Sequence, residues 1–229
     1  SGGVAPYTYT WNNGVTSTTD EATDLSAGTY TVTIEDDNGC RTTEIFTITE
    51  PTALSTTPAQ VDVLCNGTAT GSASVTVSGG VAPYTYTWNN GVTSTTHEAT
   101  DLSAGIYTVT IEDANGCRTT ETFTITEPTT LDVVPTQVDV LCNGAATGSA
   151  SVTVSGGVAP YIYTWDNGVT STTHEATDLS SGTYTVTIED ANGCRTTETF
   201  TIIEPTALNV TPTQVDVLCN GAATGSASV

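Results

Sequence analysis

The chain has 229 residues, and its 25 acidic side chains stand against Arg41, Arg118, Arg195 and no Lys, for a formal charge of −22. That balance argues against electrostatic binding to nucleic acid or to an anionic membrane surface. It leaves neutral, cationic or metal partners, or a charge that only keeps a long polymer soluble and its sheet edges apart. No stretch approaches the roughly 18 apolar residues of a membrane-spanning helix, so no direct membrane insertion is expected. The first residues lack the basic and apolar segments of an export signal, and a signal peptide and any anchor are expected outside this sequence.

The hexapeptide Ser1-Gly2-Gly3-Val4-Ala5-Pro6 returns from Ser78 and again from Ser155, each time 77 residues on. A period of that length is long enough to enclose its own small core, which points to tandem domains and not to a solenoid. Linkers fall at Glu50-Pro51, Glu127-Pro128 and Glu204-Pro205. Residues 1–50 then form a domain lacking its first two strands, 51–127 and 128–204 are complete repeats, and 205–229 hold the first two strands of a further one. Pro in each linker fixes its own φ and restricts the residue before it, so the array is expected to be rod-like.

Within the complete period 51–127, the first strand runs from Ala53 to Cys65 with Pro58 inside it, which an edge position allows. Asn66-Gly67 turns the chain. Ala73, Val75 and Val77 alternate with Ser and Thr in a half-buried second strand, which Gly79-Gly80 and Pro83 end. Tyr84, Tyr86 and Trp88 share one face of a third strand, and Asn90-Gly91 follows as a turn. The Thr-rich segment Thr93–Leu102 is expected to hold one or two short strands. Tyr107, Val109 and Ile111 lie on one face of the next, and Asn115-Gly116 closes a hairpin to Thr119–Thr126. Six or seven strands with no helical period give an all-β chain of tandem immunoglobulin-like antiparallel β-sandwich domains. In that frame Trp11, Trp88 and Trp165 take the place of the buried sandwich tryptophan. Tyr30, Tyr107 and Tyr184 take that of a tyrosine corner, and all six belong to the structural core.

The cysteines fall in two periodic series, Cys40, Cys117, Cys194 and Cys65, Cys142, Cys219, which suits disulfides in an oxidising, extracytoplasmic compartment. The first expectation pairs Cys65 with Cys117 and Cys142 with Cys194, each 52 apart in sequence, leaving Cys40 and Cys219 to residues outside the chain. Strand order opens a rival. If the first strand runs the full height of the sandwich, Cys65 lies at the pole opposite the Asn115-Gly116 hairpin, and Cys65 with Cys194 becomes an inter-domain bridge.

The motifs Cys65-Asn66-Gly67, Gly79-Gly80-Val81-Ala82-Pro83-Tyr84-Thr85-Tyr86-Thr87-Trp88, Leu102-Ser103-Ala104-Gly105-Ile106-Tyr107 and Asp113-Ala114-Asn115-Gly116-Cys117 together resemble the SprB-type repeat. That repeat occurs in very large cell-surface adhesins of Bacteroidota, including the gliding adhesin. The resemblance implies an extracellular, cell-surface location, export by type IX secretion, and a filament serving attachment or gliding. It implies no enzyme.

Candidate chemistry is sparse. His97 and His174 are one repeat position, occupied by Asp20 in the first period, so neither belongs to a triad. Asp36 with Asn38, Asp113 with Asn115, and Asp190 with Asn192 set oxygen ligands in tight turns that could hold calcium; the positive φ angles of a hairpin tip explain the same residues without a metal. Tyr84, Tyr86 and Trp88 would form a polysaccharide-stacking platform if exposed, or core if buried. Two functions therefore compete: a structural stalk that spaces an adhesive tip from the cell, and repeats that themselves bind polysaccharide weakly and with avidity. Neighbouring copies end to end are expected partners, either as a window of one continuous repeating chain or through donor-strand assembly.

Overall fold

In a computed structural model that describes residues 2–229, every regular element is a strand, as the alternation of Thr with apolar residues dictates. Residues 2–50 hold β1 (Thr8–Trp11), β2 (Gly28–Glu35) and β3 (Arg41–Ile48), one antiparallel sheet in the order β1-β2-β3. The middle period holds β4 (Ser55–Val61), β5 (Gly71–Ser78), β6 (Thr85–Trp88), β7 (Glu98–Leu102), β8 (Gly105–Glu112) and β9 (Arg118–Ile125). The next holds β10 (Asp132–Val138), β11 (Gly148–Ser155), β12 (Ile162–Trp165), β13 (Glu175–Leu179), β14 (Gly182–Glu189) and β15 (Arg195–Ile202). A two-stranded pair, β16 (Thr213–Val215) and β17 (Ser226–Ser228), ends the chain.

The sheets of 128–204 are β10-β11-β13 and β12-β14-β15, and those of 51–127 are β4-β5-β7 and β6-β8-β9. First, second and fourth strands thus make one sheet, and third, fifth and sixth the other. That division is the immunoglobulin-like one. The Thr-rich segment supplies one strand, β7, and not two. By compactness the chain divides into a unit of Ser1–Pro58, Val75–His97 and Thr108–Glu121 and a unit of Ala59–Ser74, Glu98–Tyr107 and Thr122–Val229.

In the second unit, residues 140–202 enclose a core in which Val186 and Ile188 of β14 are fully buried and alternate with Thr185 and Thr187. Burying such a side chain stabilises by roughly 1.5–3 kcal/mol. Trp165, 6 % exposed, packs on Phe200 with ring centroids 5.7 Å apart. The Tyr184 hydroxyl donates to Ser180 O at 3.1 Å, and that of Tyr107 to Ser103 O at 3.0 Å, so both stand as tyrosine corners.

The first strand changes partners partway. β10 carries Pro135 along the sheet edge and pairs with β11 as far as Val138. Beyond it, Val140 N–H donates to Ile203 O at 3.0 Å, and Asp139 Oδ1 accepts Ile203 N–H at 3.1 Å. Val63 N–H to Thr126 O and Thr126 N–H to Asp62 Oδ1, both 2.9 Å, repeat the switch one period earlier. The strand therefore runs on past its own sheet and delivers the Cys-Asn-Gly turn to the far pole.

In the first unit, β2 buries Tyr30 and Val32, whereas Trp11 is half-buried and Phe46 is 46 % exposed. The expectation that Trp11 belongs to a core equivalent to that of Trp88 and Trp165 is thus corrected. Residues 2–50 supply one sheet and no second sheet to close over the indole. Both strands of the β16-β17 pair are exposed throughout.

Candidate functional site

The Asp-x-Asn-Gly-Cys turns are held by their first residue. Asp190 Oδ1 accepts the N–H groups of Asn192 and Cys194, each at 2.9 Å, and Oδ2 accepts Val158 N–H at 2.9 Å. Ala191 N–H then donates to Val158 O at 2.8 Å. The carboxylate so ties the hairpin tip to the Ser-Gly-Gly-Val loop. Gly157 in that loop lies at φ 59°, and a Cβ there would stand 2.8 Å from Asp190 Oδ2, which explains the glycine. Asp113 repeats the arrangement with Val81, Asn115 and Cys117, and Asp36 with Val4, Asn38 and Cys40.

At Asp113 and Asp190, burial opposes ionisation; the backbone N–H groups outweigh it and hold both carboxyls below their ordinary value. Asp36 is lowered chiefly by the backbone N–H of Cys40, then by that of Val4. These oxygens already face amide hydrogens, so the turns do not fit a calcium ion. Among the described residues no group of three or more His, Cys, Asp or Glu is placed to hold a metal.

Asn192, the other half of that candidate, points elsewhere. Its side-chain N–H donates to Leu64 O at 2.8 Å, and beside it Cys194 forms a disulfide with Cys65, their Cα atoms 5.6 Å apart. Cys117 and Cys142, like Cys40 and Cys219, are exposed free thiols. The expected Cys65–Cys117 and Cys142–Cys194 pairs are therefore corrected. The extended first strand carries Cys65 within reach of the next period's hairpin tip.

The linker completes this junction. Asn66 Nδ2 donates to Pro128 O at 3.0 Å, Gly67 N–H to Glu127 Oε2 at 2.6 Å, and Thr130 Oγ1 to Asn66 Oδ1 at 2.9 Å. The Asn66-Gly67 turn and the Glu127-Pro128 linker are each legible in the sequence, whereas their contact is not. The signal lay in their fixed offset, which recurs at Asn143 and Pro205.

The aromatic strand does not form an exposed platform. Trp88 and Trp165 are buried, and their Nε1–H groups donate to Thr96 O and Thr173 O. Tyr84 and Tyr86 are half-buried, and the Tyr86 ring meets His97 at 6.3 Å, as Tyr163 meets His174. A polar cleft of about 460 Å³ opens instead between the turn after β12 and the tyrosine corner, lined by Asn167, Thr170, Ser171, Glu175, Asp178 and Tyr184. A counterpart of about 500 Å³ lies in the first period, lined among others by Asn13, Ser17, Glu21, Asp24 and Tyr30.

The family described as SprB repeat matches residues 1–16, 57–93 and 134–170. No curated protein matches the chain. Of solved structures, a Dscam isoform structure is 12% identical over 77% of this chain and 54% of its own, with a TM-score of 0.31. The C-terminal fragment of intimin in complex with the intimin-binding domain of its translocated receptor is 14% identical over 76% of this chain and 57% of its own, with a TM-score of 0.33. A structure of the eight N-terminal Ig domains of DSCAM is 11% identical over 87% of this chain and 33% of its own, with a TM-score of 0.36. The chain spans little more than half the length of the first two of these structures and a third of the last.

Proposed function

From the three matches to the SprB repeat along the chain, we propose that it is a structural segment of a secreted bacterial surface adhesin, a stalk that spaces an adhesive tip from the cell and withstands extension. The resemblance supplies the setting: a cell-surface filament of Bacteroidota, exported by type IX secretion and serving attachment or gliding. The observation that carries the mechanical part is the Cys65–Cys194 disulfide, with the Asn66, Gly67 and Asn192 hydrogen bonds around it. A stalk under load fails where one domain meets the next, and this junction is covalent.

Force spectroscopy on the whole chain, held at its two ends, tests the reading. Cys65 and Cys194 are 129 residues apart in sequence, and under oxidising conditions the segment between them is outside the path of force. Reductant should therefore lengthen the fully extended chain by about 45 nm, at ~3.5 Å per residue. Equal extension with and without reductant would remove the basis of the stalk reading.

The recurring polar cleft favours a second reading, that the repeats bind polysaccharide weakly and with avidity. Its Ser and Thr hydroxyls and its carboxylates suit sugar hydroxyls. Binding of this chain on a glycan array, lost on Asp178→Ala, would favour this reading over a stalk alone.

A further inference from the structure

The observed disulfide joins the first cysteine of one period to the second cysteine of the following one, and both halves of that junction are rebuilt elsewhere in the chain. On the donor side, Cys142 follows the same strand switch as Cys65. Its turn is seated on the linker in the same way, with Asn143 Nδ2 donating to Pro205 O at 3.1 Å and Gly144 N–H to Glu204 Oε2 at 2.7 Å. Ala207 stands where Thr130 stands and omits one contact. Leu141, counterpart of the Leu64 whose carbonyl receives Asn192, is 74% exposed, against 47% for Leu64. On the acceptor side, Cys117 N–H donates to Asp113 Oδ1 at 2.9 Å and Cys40 N–H to Asp36 Oδ1 at 2.8 Å, matching Cys194 on Asp190 at 2.9 Å. For each of the four free thiols the same rule puts the partner cysteine outside these residues.

We propose that Cys142 is the donor half, and Cys117 and Cys40 the acceptor halves, of a covalent junction that repeats once per period, the partner in each case being an adjoining copy of the same period in the same chain. Every period between two others is then bonded to both neighbours, by its first cysteine onward and by its second cysteine back. The oxidant is a small-molecule disulfide of the oxidised-glutathione class. One cysteine thiolate attacks it and expels a thiolate. The second cysteine thiolate attacks the resulting mixed disulfide and expels the other. Two cysteine thiols become one disulfide, and the oxidant becomes two thiols. The junction holds or fails independently of whether the array bears load.

The test lengthens the full chain by a copy of residues 153–229 joined after Val229, which continues the period by one unit. The protein is folded in a buffer of reduced and oxidised glutathione, alkylated and digested without reduction. The expected product is a peptide linking Cys142 to the added counterpart of Cys194, alongside the Cys65–Cys194 peptide, with loss of Cys142 alkylation relative to the 229-residue chain. Cys194→Ser in the lengthened chain should free Cys65 and leave the Cys142 link in place. Cys142 still alkylated while Cys65–Cys194 forms would overturn the proposal. So would Cys142 bonded within its own period or to a second molecule, and absence of both links would remove its premise.

Discussion

At the residue scale a carboxylate serves as a backbone clamp. Asp190 and Asp113 each gather three N–H donors from two segments, and a group held below its ordinary value near 3.8 stabilises the fold only while ionised. That contribution is fully present above about pH 4 and is lost as pH falls through the lowered native values. Going from pH 7 to pH 3 should therefore remove the clamp's share of the thermal stability, a loss opposed by the coulombic relief of the acidic chain and isolated by comparison with a variant that lacks the clamp. Asp190→Asn should lower the midpoint at pH 7 and flatten its dependence on pH, read by near-ultraviolet circular dichroism. A variant with unchanged pH dependence would mean the clamp contributes nothing. The sequence displayed Asp190 and Asn192 plainly as a turn. It did not display that the aspartate faces inward, because its third donor, Val158, comes from a loop 32 residues away.

At the scale of elements, alternation and turn residues made the strands legible. Val186 and Ile188 between threonines, Asn-Gly at turns and hairpin tips, and the Leu-x-x-Gly-x-Tyr run each correspond to an observed β-strand, turn or tyrosine corner. Less legible was the first strand's change of sheet, since an edge strand containing Pro135 reads the same whichever sheet its later residues join. The cis bonds before Pro6, Pro83 and Pro160 had no residue signature at all. Nor could local pattern show that Trp11 lacks a cover, because burial of an indole depends on the facing sheet. Gly148 shows how closely the two sheets of a period meet. A Cβ at that position would stand 2.8 Å from Ile202 Cγ2 and 2.9 Å from the Leu179 carbonyl. Gly148→Ala should destabilise by about 1–3 kcal/mol in denaturant unfolding, because the backbone carbonyl cannot step aside as a side chain would. A neutral result would mean the β11–β13 contact is looser than described.

At the scale of the whole molecule, the 77-residue period indicated a repetitive array, and the SprB match agrees with it. Cysteine spacing alone favoured pairs within a period; only the height of the first strand, and with it the pole at which Cys65 emerges, decides between that and a bond to the next period. The bond also changes what a cut does to the chain. Any single backbone scission between Cys65 and Cys194 leaves the two fragments joined, so a protease must act twice, or act with a reductant, to sever the polymer there. With no Lys in the chain, trypsin offers a clean measurement at Arg41, Arg118 and Arg195. In urea without reductant, the fragments on either side of Arg118 should migrate as one species and separate only when thiol is added, while the pieces before Arg41 and after Arg195 fall away at once. Were the junction to recur every period, successive closed loops would overlap. A surface fibre built on that plan would survive one nick anywhere along its interior, a property suited to a polymer exposed to foreign proteases and beyond the reach of repair.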